Sequence, residues 1–184
     1  MLLVLLMLSG CGKPVDSSQV RAHFETLDGF TARLKIISDL DGSVLEFESE
    51  YAYNREDADS FTITAPESVA GIGGTIAGED SASLVLQYDG LALEHAMPQR
   101  TGLTPADALF CLLCDLRTAE PAQMWTEHTD GRALLVLRYE GETDGERVEK
   151  QVWLTEQGLQ PVCAELYADG TRVLTLQVTA YQET

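Results

Sequence analysis

The feature that most limits how this chain can fold is a two-residue hydrophobic period that recurs along much of its length. In TARLKII, Ala32, Leu34 and Ile36 alternate with Thr31, Arg33 and Lys35; in VLEFESEYAYN, Leu45, Phe47, Tyr51 and Tyr53 lie on one side and Glu46, Glu48 and Glu50 on the other. Successive side chains of a strand point to opposite faces, so these runs read as antiparallel strands with one dry and one wet face. The pattern returns at Phe61 and Ile63, at Leu84, Leu86 and Tyr88, and at Leu91 and Leu93. It resumes after Pro121 with Leu135, Leu137 and Tyr139, then Val148, Val152 and Leu154, then Val162, Ala164 and Leu166, and last Leu174, Leu176 and Val178. Asp41-Gly42, Asp89-Gly90 and Asp169-Gly170 stand between runs, where Asp-Gly favours a tight hairpin. The spacing predicts about nine or ten strands.

Two segments break this period. Ser17 or Ser18 is placed to cap a short helix in which Val20, Phe24 and Leu27 share a face, ending at Asp28-Gly29. Thr104-Pro105 predicts the start of a second helix, with threonine at the N-cap and proline in the first turn. Its body, PADALFCLLCDLR, is apolar round much of its circumference, which calls for burial. A long sheet with a single dry side must close on itself or curl round something apolar. The two helices are the available filling. The expected fold is therefore α+β, mainly β: a strongly curved antiparallel sheet, or incomplete barrel, wrapped around helices.

The first residues follow different rules. Residues 2–8 are apolar but far shorter than the roughly 20 residues that a membrane-spanning helix needs. Leu8-Ser9-Gly10-Cys11 resembles the bacterial lipobox, with small side chains before a thiol that takes the lipid. This implies an export signal over residues 1–10, lipid attachment at Cys11, a small polar tether over 11–18 and a single domain over 19–184. Two or three acyl chains on Cys11 would hold the protein outside the cell on the membrane, because one chain alone anchors only marginally. No Lys or Arg precedes Cys11, which suggests that a few residues stand upstream of Met1.

Within 184 residues, 30 Asp and Glu against 12 Lys and Arg give a formal charge of −18. Such a surface repels phosphate backbones, so nucleic acid is excluded as a partner, and a basic face on a partner protein suits it. The acidic groups otherwise serve solubility.

The motifs that suggest chemistry are weak. Cys111 and Cys114 have redox spacing but lie in the second half of a helix among leucines. There the helix dipole opposes a thiolate; core packing, a disulfide involving Cys163, and redox or metal chemistry are the three readings. GIGGTIAGED lacks the last glycine of a dinucleotide loop and places Glu79-Asp80 after Gly78, so it reads as a flexible crossing between strands. His23, His95 and His128 belong to no catalytic pattern; the acidic turn with Asp57 and Asp59 could hold calcium weakly, but there is no 12-residue ligand loop. Trp153 is out of phase with Val152 and Leu154, which puts it on the outer face; Trp125 is the other tryptophan. No catalytic residue, cofactor site or metal site is expected.

The order of helix, strands, helix, strands behind a lipobox resembles the LolA/LolB superfamily. More closely it resembles the LolA-like lipoproteins of sporulating Gram-positive bacteria, such as the germination lipoprotein GerS. The stretches that carry the likeness are FETLDGFTARLKI, EFESEYAYN, FTITAPESVAGIGGTI, LVLQYDGLALEHAM, TGLTPADALFCLL and LQPVCAELYADGTRVLTLQVTAY. The resemblance implies an open β-barrel with a helical lid and an apolar cavity that takes acyl chains in the carriers. The soluble carriers lack an anchoring cysteine, so Cys11 aligns the chain with the receptor or the Gram-positive anchored branch. The carriers hold the lid with a cavity arginine, and Arg33, in the polar phase of its strand, does not suit that role. Two functions follow as expectations. One is a membrane-anchored, non-enzymatic binding module for an envelope protein, such as a cell-wall hydrolase or sporulation factor. The other is a binding protein for lipid or lipoprotein acyl chains.

Overall fold

The computed structural model describes residues 15–40, 42–78, 82–96, 101–143 and 145–184. Cys11, Asp41, Glu79-Asp80 and the break at Met97-Pro98 lie outside them. The chain runs α1 (Ser17–Thr26), β1 (Gly29–Leu40), β2 (Ser43–Asn54), β3 (Asp59–Ala65), β4 (Gly73–Ala77), β5 (Ser83–Tyr88) and β6 (Leu91–Ala96). It continues through α2 (Ala108–Thr118), β7 (Gln123–Thr129), β8 (Arg132–Thr143), β9 (Glu146–Thr155), β10 (Pro161–Ala168) and β11 (Thr171–Glu183). All eleven strands form one antiparallel sheet, ordered β6-β5-β4-β3-β2-β1-β11-β10-β9-β8-β7. Every neighbour is a sequential hairpin except β1 with β11, which joins the two halves. The sheet does not close. Among the described residues β6 and β7 are its outermost strands, and α2 lies in the connection between them.

The alternation read from the sequence sets the faces. Ala32, Leu34, Ile36, Tyr51, Tyr53, Leu135, Leu137, Tyr139, Val152, Leu154, Leu174 and Leu176 are all buried. They form one core with Val20, Phe24 and Leu27 around α1 and with Leu109, Phe110, Leu112, Leu113 and Leu116 of α2. Full burial of a side chain such as Leu112 or Leu116 is worth about 1.5–3 kcal/mol, so the helices hold the curved sheet together. Asp89 (φ 48°) and Gly90 (φ 77°) both take positive φ, as the hairpin that matches strand twist requires.

Four local expectations need correction. The N-cap of α1 is Asp16, whose carboxylate accepts the Gln19 N–H at 3.0 Å while the Gln19 side chain accepts the Asp16 N–H at 3.0 Å. Ser17 and Ser18 fall within the first turn, past the position from which a side chain caps the exposed N–H groups. The second helix begins at Ala108, not at Thr104, because the Thr104 hydroxyl donates to Asp107 and residues 104–107 form a preceding turn. Val162 is only half-buried, since the β9–β10 register shifts between Pro161 and Cys163 and Pro161 takes the inner place. Finally, GIGGTIAGED does not cross loosely between strands: its Gly73–Ala77 part is β4, paired on both sides.

β4 is hard to read from sequence because one of its two inner residues, Gly74, has no side chain and leaves Ile76 as the sole apolar marker of its phase. A Cβ at Gly74 would stand 2.8 Å from Phe61 Cε1 and 2.9 Å from the Val85 carbonyl oxygen, so the Phe61 ring occupies the place of a side chain. Gly74→Ala is expected to destabilise the fold by about 1–3 kcal/mol through overpacking, read from the urea midpoint. Phe61→Leu should recover part of that loss. An unchanged midpoint for Gly74→Ala would contradict this packing.

Candidate functional site

One row of inward-facing residues shows where the filling ends. Strand pairing places Tyr51 beside Phe61, Phe61 beside Gly74, Gly74 beside Leu86 and Leu86 beside Leu93. Tyr51 and Phe61 are buried, Leu86 is half-buried and Leu93 on β6 is 56% exposed. In the next row Tyr88 pairs with Leu91, which is 71% exposed. Antiparallel order brings both to the same end of the sheet as the β1–β2 hairpin tip, where Val44 and Leu45 are also exposed. The sequence therefore placed Leu45, Tyr88, Leu91 and Leu93 correctly in phase. Their exposure was hidden from it, because it depends on how far the helices reach. An exposed apolar surface beside a strand that no described strand pairs on its outer side is a candidate docking surface.

The helix that covers the rest is pinned on two sides. Lys150 Nζ donates to Asp115 at 2.6 Å on the β9 side. On the β2 side the Arg117 guanidinium donates to the Tyr53 hydroxyl at 2.9 Å and to Cys114 Sγ at 3.3 Å, and stands 5.5 Å from the Tyr53 ring centre. Arg33 faces solvent and pairs with Glu50 at 3.4 Å. Arg117 is thus the arginine set between helix and sheet, a role that strand alternation does not reveal because the residue sits on α2.

Beside Arg117 a cleft of about 420 Å³ opens between Phe110, Ile76 and loop residues 54–59. Its acid is already engaged: Asp59 accepts the Tyr51 hydroxyl and the Asn54 N–H, the latter at 3.1 Å. Asp57 accepts the N–H of Ala58 at 2.8 Å. Asp107 accepts N–H groups from Gly102 at 2.7 Å and Thr104 at 3.1 Å. Burial raises the carboxyl pKa of both Asp59 and Asp107 despite these bonds.

Among the described residues Cys111, Cys114 and Cys163 form no disulfide. Cys163 lies on the face of β10 opposite Ala164 and Leu166, away from the two cysteines of α2. Burial pushes Cys111 to about 12 and Cys163 to about 11, which leaves these two thiols protonated and unreactive at neutral pH. His23 packs edge-on against Phe24, His128 is exposed on β7, and the His95 side chain lies outside the described residues. Among the described residues no group of three or more His, Cys, Asp or Glu is placed to hold a metal ion, and no helix is long and apolar enough to cross a membrane. Trp153 faces outward as expected: its indole N–H donates to Glu127 at 2.8 Å, and with Trp125 it flanks the fully buried Val136.

No family model matches the sequence, and no curated protein matches it. Solved structures do. A DUF1329 family protein from Desulfovibrio piger is 12% identical, with 94% of each chain covered and a TM-score of 0.53. A domain named for outer membrane lipoprotein sorting, from Vibrio parahaemolyticus, is 13% identical, covering 91% of this chain and 90% of that one, with a TM-score of 0.51. The chain shares the overall fold of these two structures. A LolA superfamily protein from Nitrosomonas europaea is 13% identical over 92% of this chain and 94% of its own, with a TM-score of 0.49.

The buried carboxyls give a pH test. A raised pKa means that the folded chain binds protons more tightly than the unfolded one. The stability contributed by Asp59 and Asp107 is full below the ordinary carboxylate range and is lost as pH rises through their raised values. Asp59→Asn should therefore lose less stability than the parent chain between about pH 4 and about pH 7, measured by urea unfolding. Parallel curves would contradict it.

Proposed function

We propose that this chain is a lipid-anchored, non-enzymatic binding module of the cell envelope, which docks another envelope protein at the β5–β6 end of its half-barrel. The observation that carries this reading is the row from Tyr51 to Leu93, in which apolar side chains continue past the helices that cover them. In this reading residues 1–10 are an export signal, Cys11 carries the lipid, and the tether leads into the domain, whose first helix starts at Ser17. The module then works outside the cell, held at the membrane. The sequence resemblance favours a cell-wall hydrolase or sporulation factor as the partner.

The acyl-chain reading has less support. A carrier needs room on the concave side, and there Phe24, Leu112, Leu113 and Leu116 are at most 1% exposed. The fold is compatible with either function, and the close packing of the concave side favours the docking reading.

Two measurements test the proposal. Metabolic labelling with an alkyne fatty acid should mark the parent chain and not Cys11→Ser, which should leave the membrane fraction; labelling of neither, with unchanged membrane retention, would overturn the anchor. A photo-crosslinking residue at Leu93 should yield a protein adduct in intact cells, while one at Arg33 on the opposite face should not. Native mass spectrometry that found the full chain carrying lipid on the concave side, with no adduct at Leu93, would overturn the docking reading.

A further inference from the structure

We infer that the occupant of the β5–β6 end is an extended, cationic segment of the partner, with basic side chains alternating with aliphatic ones, added as a further strand on β6. This inference rests on the docking reading above and specifies the chemistry of what docks.

The edge itself is suited to pairing. Natural edge strands are commonly guarded by lysine, proline or a bulge. Leu91–Ala96 reads LALEHA, with no lysine or proline, and it pairs with β5 without a register shift. Among the described residues no strand pairs with its outer side. A strand added there would set alternate side chains on the face that shows Leu91 and Leu93, and main-chain hydrogen bonds would fix the register.

Charge selects the occupant. Residues 43–96 contain eleven Asp and Glu and one basic residue, Arg55, a net of −10 out of the chain's −18. The other 130 residues hold the remaining nineteen acids and eleven bases, a net of −8. The half of the sheet that ends in β6 is therefore the acidic half. On β2, Glu46 and Glu50 are paired with Lys35 and Arg33 of β1, at 2.8 Å and 3.4 Å, while Glu48 stands between them; Glu67 follows β3, and Asp89 forms the β5–β6 turn beside Tyr88 and Leu91. A second copy of this chain would bring a net −10 against −10, so self-pairing along β6 is opposed. A basic segment is steered to the same place, while its aliphatic residues cover the exposed leucines.

The test uses the full chain and two synthetic peptides of about ten residues, one alternating Lys with Val and one alternating Glu with Val. The Lys-Val peptide should bind, with an isotope-edited infrared band at the β-sheet position, and should bind about tenfold or more weakly when salt rises from about 0.05 to about 0.5 M. Leu91→Glu with Leu93→Glu removes the apolar contacts and makes the edge more acidic. This variant should bind the peptide at least about tenfold more weakly, and the milder Leu93→Ser should weaken it several-fold, both checked for folding by circular dichroism. Unchanged or tighter binding to the glutamate variant would reduce the attraction to charge alone and overturn the proposal. Equal binding of the Glu-Val peptide would also overturn it. So would a cellular adduct at Leu93 whose cross-linked segment is acidic, although docking at this end would then still stand.

Discussion

Everything in this structure depends on covering one dry face of an eleven-stranded sheet that does not close. A closed barrel would hide that face within itself. Here two short helices must do it, and they place Val20, Phe24, Leu112, Leu113 and Leu116 against the middle of the sheet, where burial is complete. The helices run out before the sheet does. Burial declines along a single row of paired residues, from Tyr51 through Leu86 to Leu93, and the apolar surface at the β6 edge is the remainder.

The polar contacts around α2 show why the covering stays where it is. Lys150 and Asp115 on one side, and Arg117 with Tyr53 on the other, tie the helix to β9 and β2. The buried Asp59 and Asp107 fix the loops next to it, at the cost of raised carboxyl pKa values. A helix held in this way is a fixed part of the core. On the proposed docking reading, a fixed helix leaves the β6 edge as the surface offered to a partner.

Much of the fold was legible in the sequence because alternation is a local property. Ala32, Leu34 and Ile36, or Leu174 and Leu176, announce their faces without knowledge of their neighbours. β4 was missed because Gly74 carries no side chain and the Phe61 ring fills its place from another strand. Asp16 is hard to single out as the cap from sequence, because the serines beside it offer the same chemistry. The site was harder to read. Leu91 and Leu93 have the phase of core residues, and only the reach of the helices, a tertiary fact, makes them exposed. Arg117 likewise acquires its role from the packing of α2 on Tyr53.

The central claim is that cover is complete in the middle of the sheet and missing at the β6 edge, where a partner strand supplies it. Amide hydrogen exchange of the full chain, free and with its cross-linked partner, tests this most directly. The account predicts slow exchange in β1, β2 and β11, fast exchange in β6 of the free chain, and new protection confined to β5 and β6 in the complex. Protection of β6 equal to that of β1 in the free chain, or new protection that appears in α2 and leaves β6 unchanged, would contradict it.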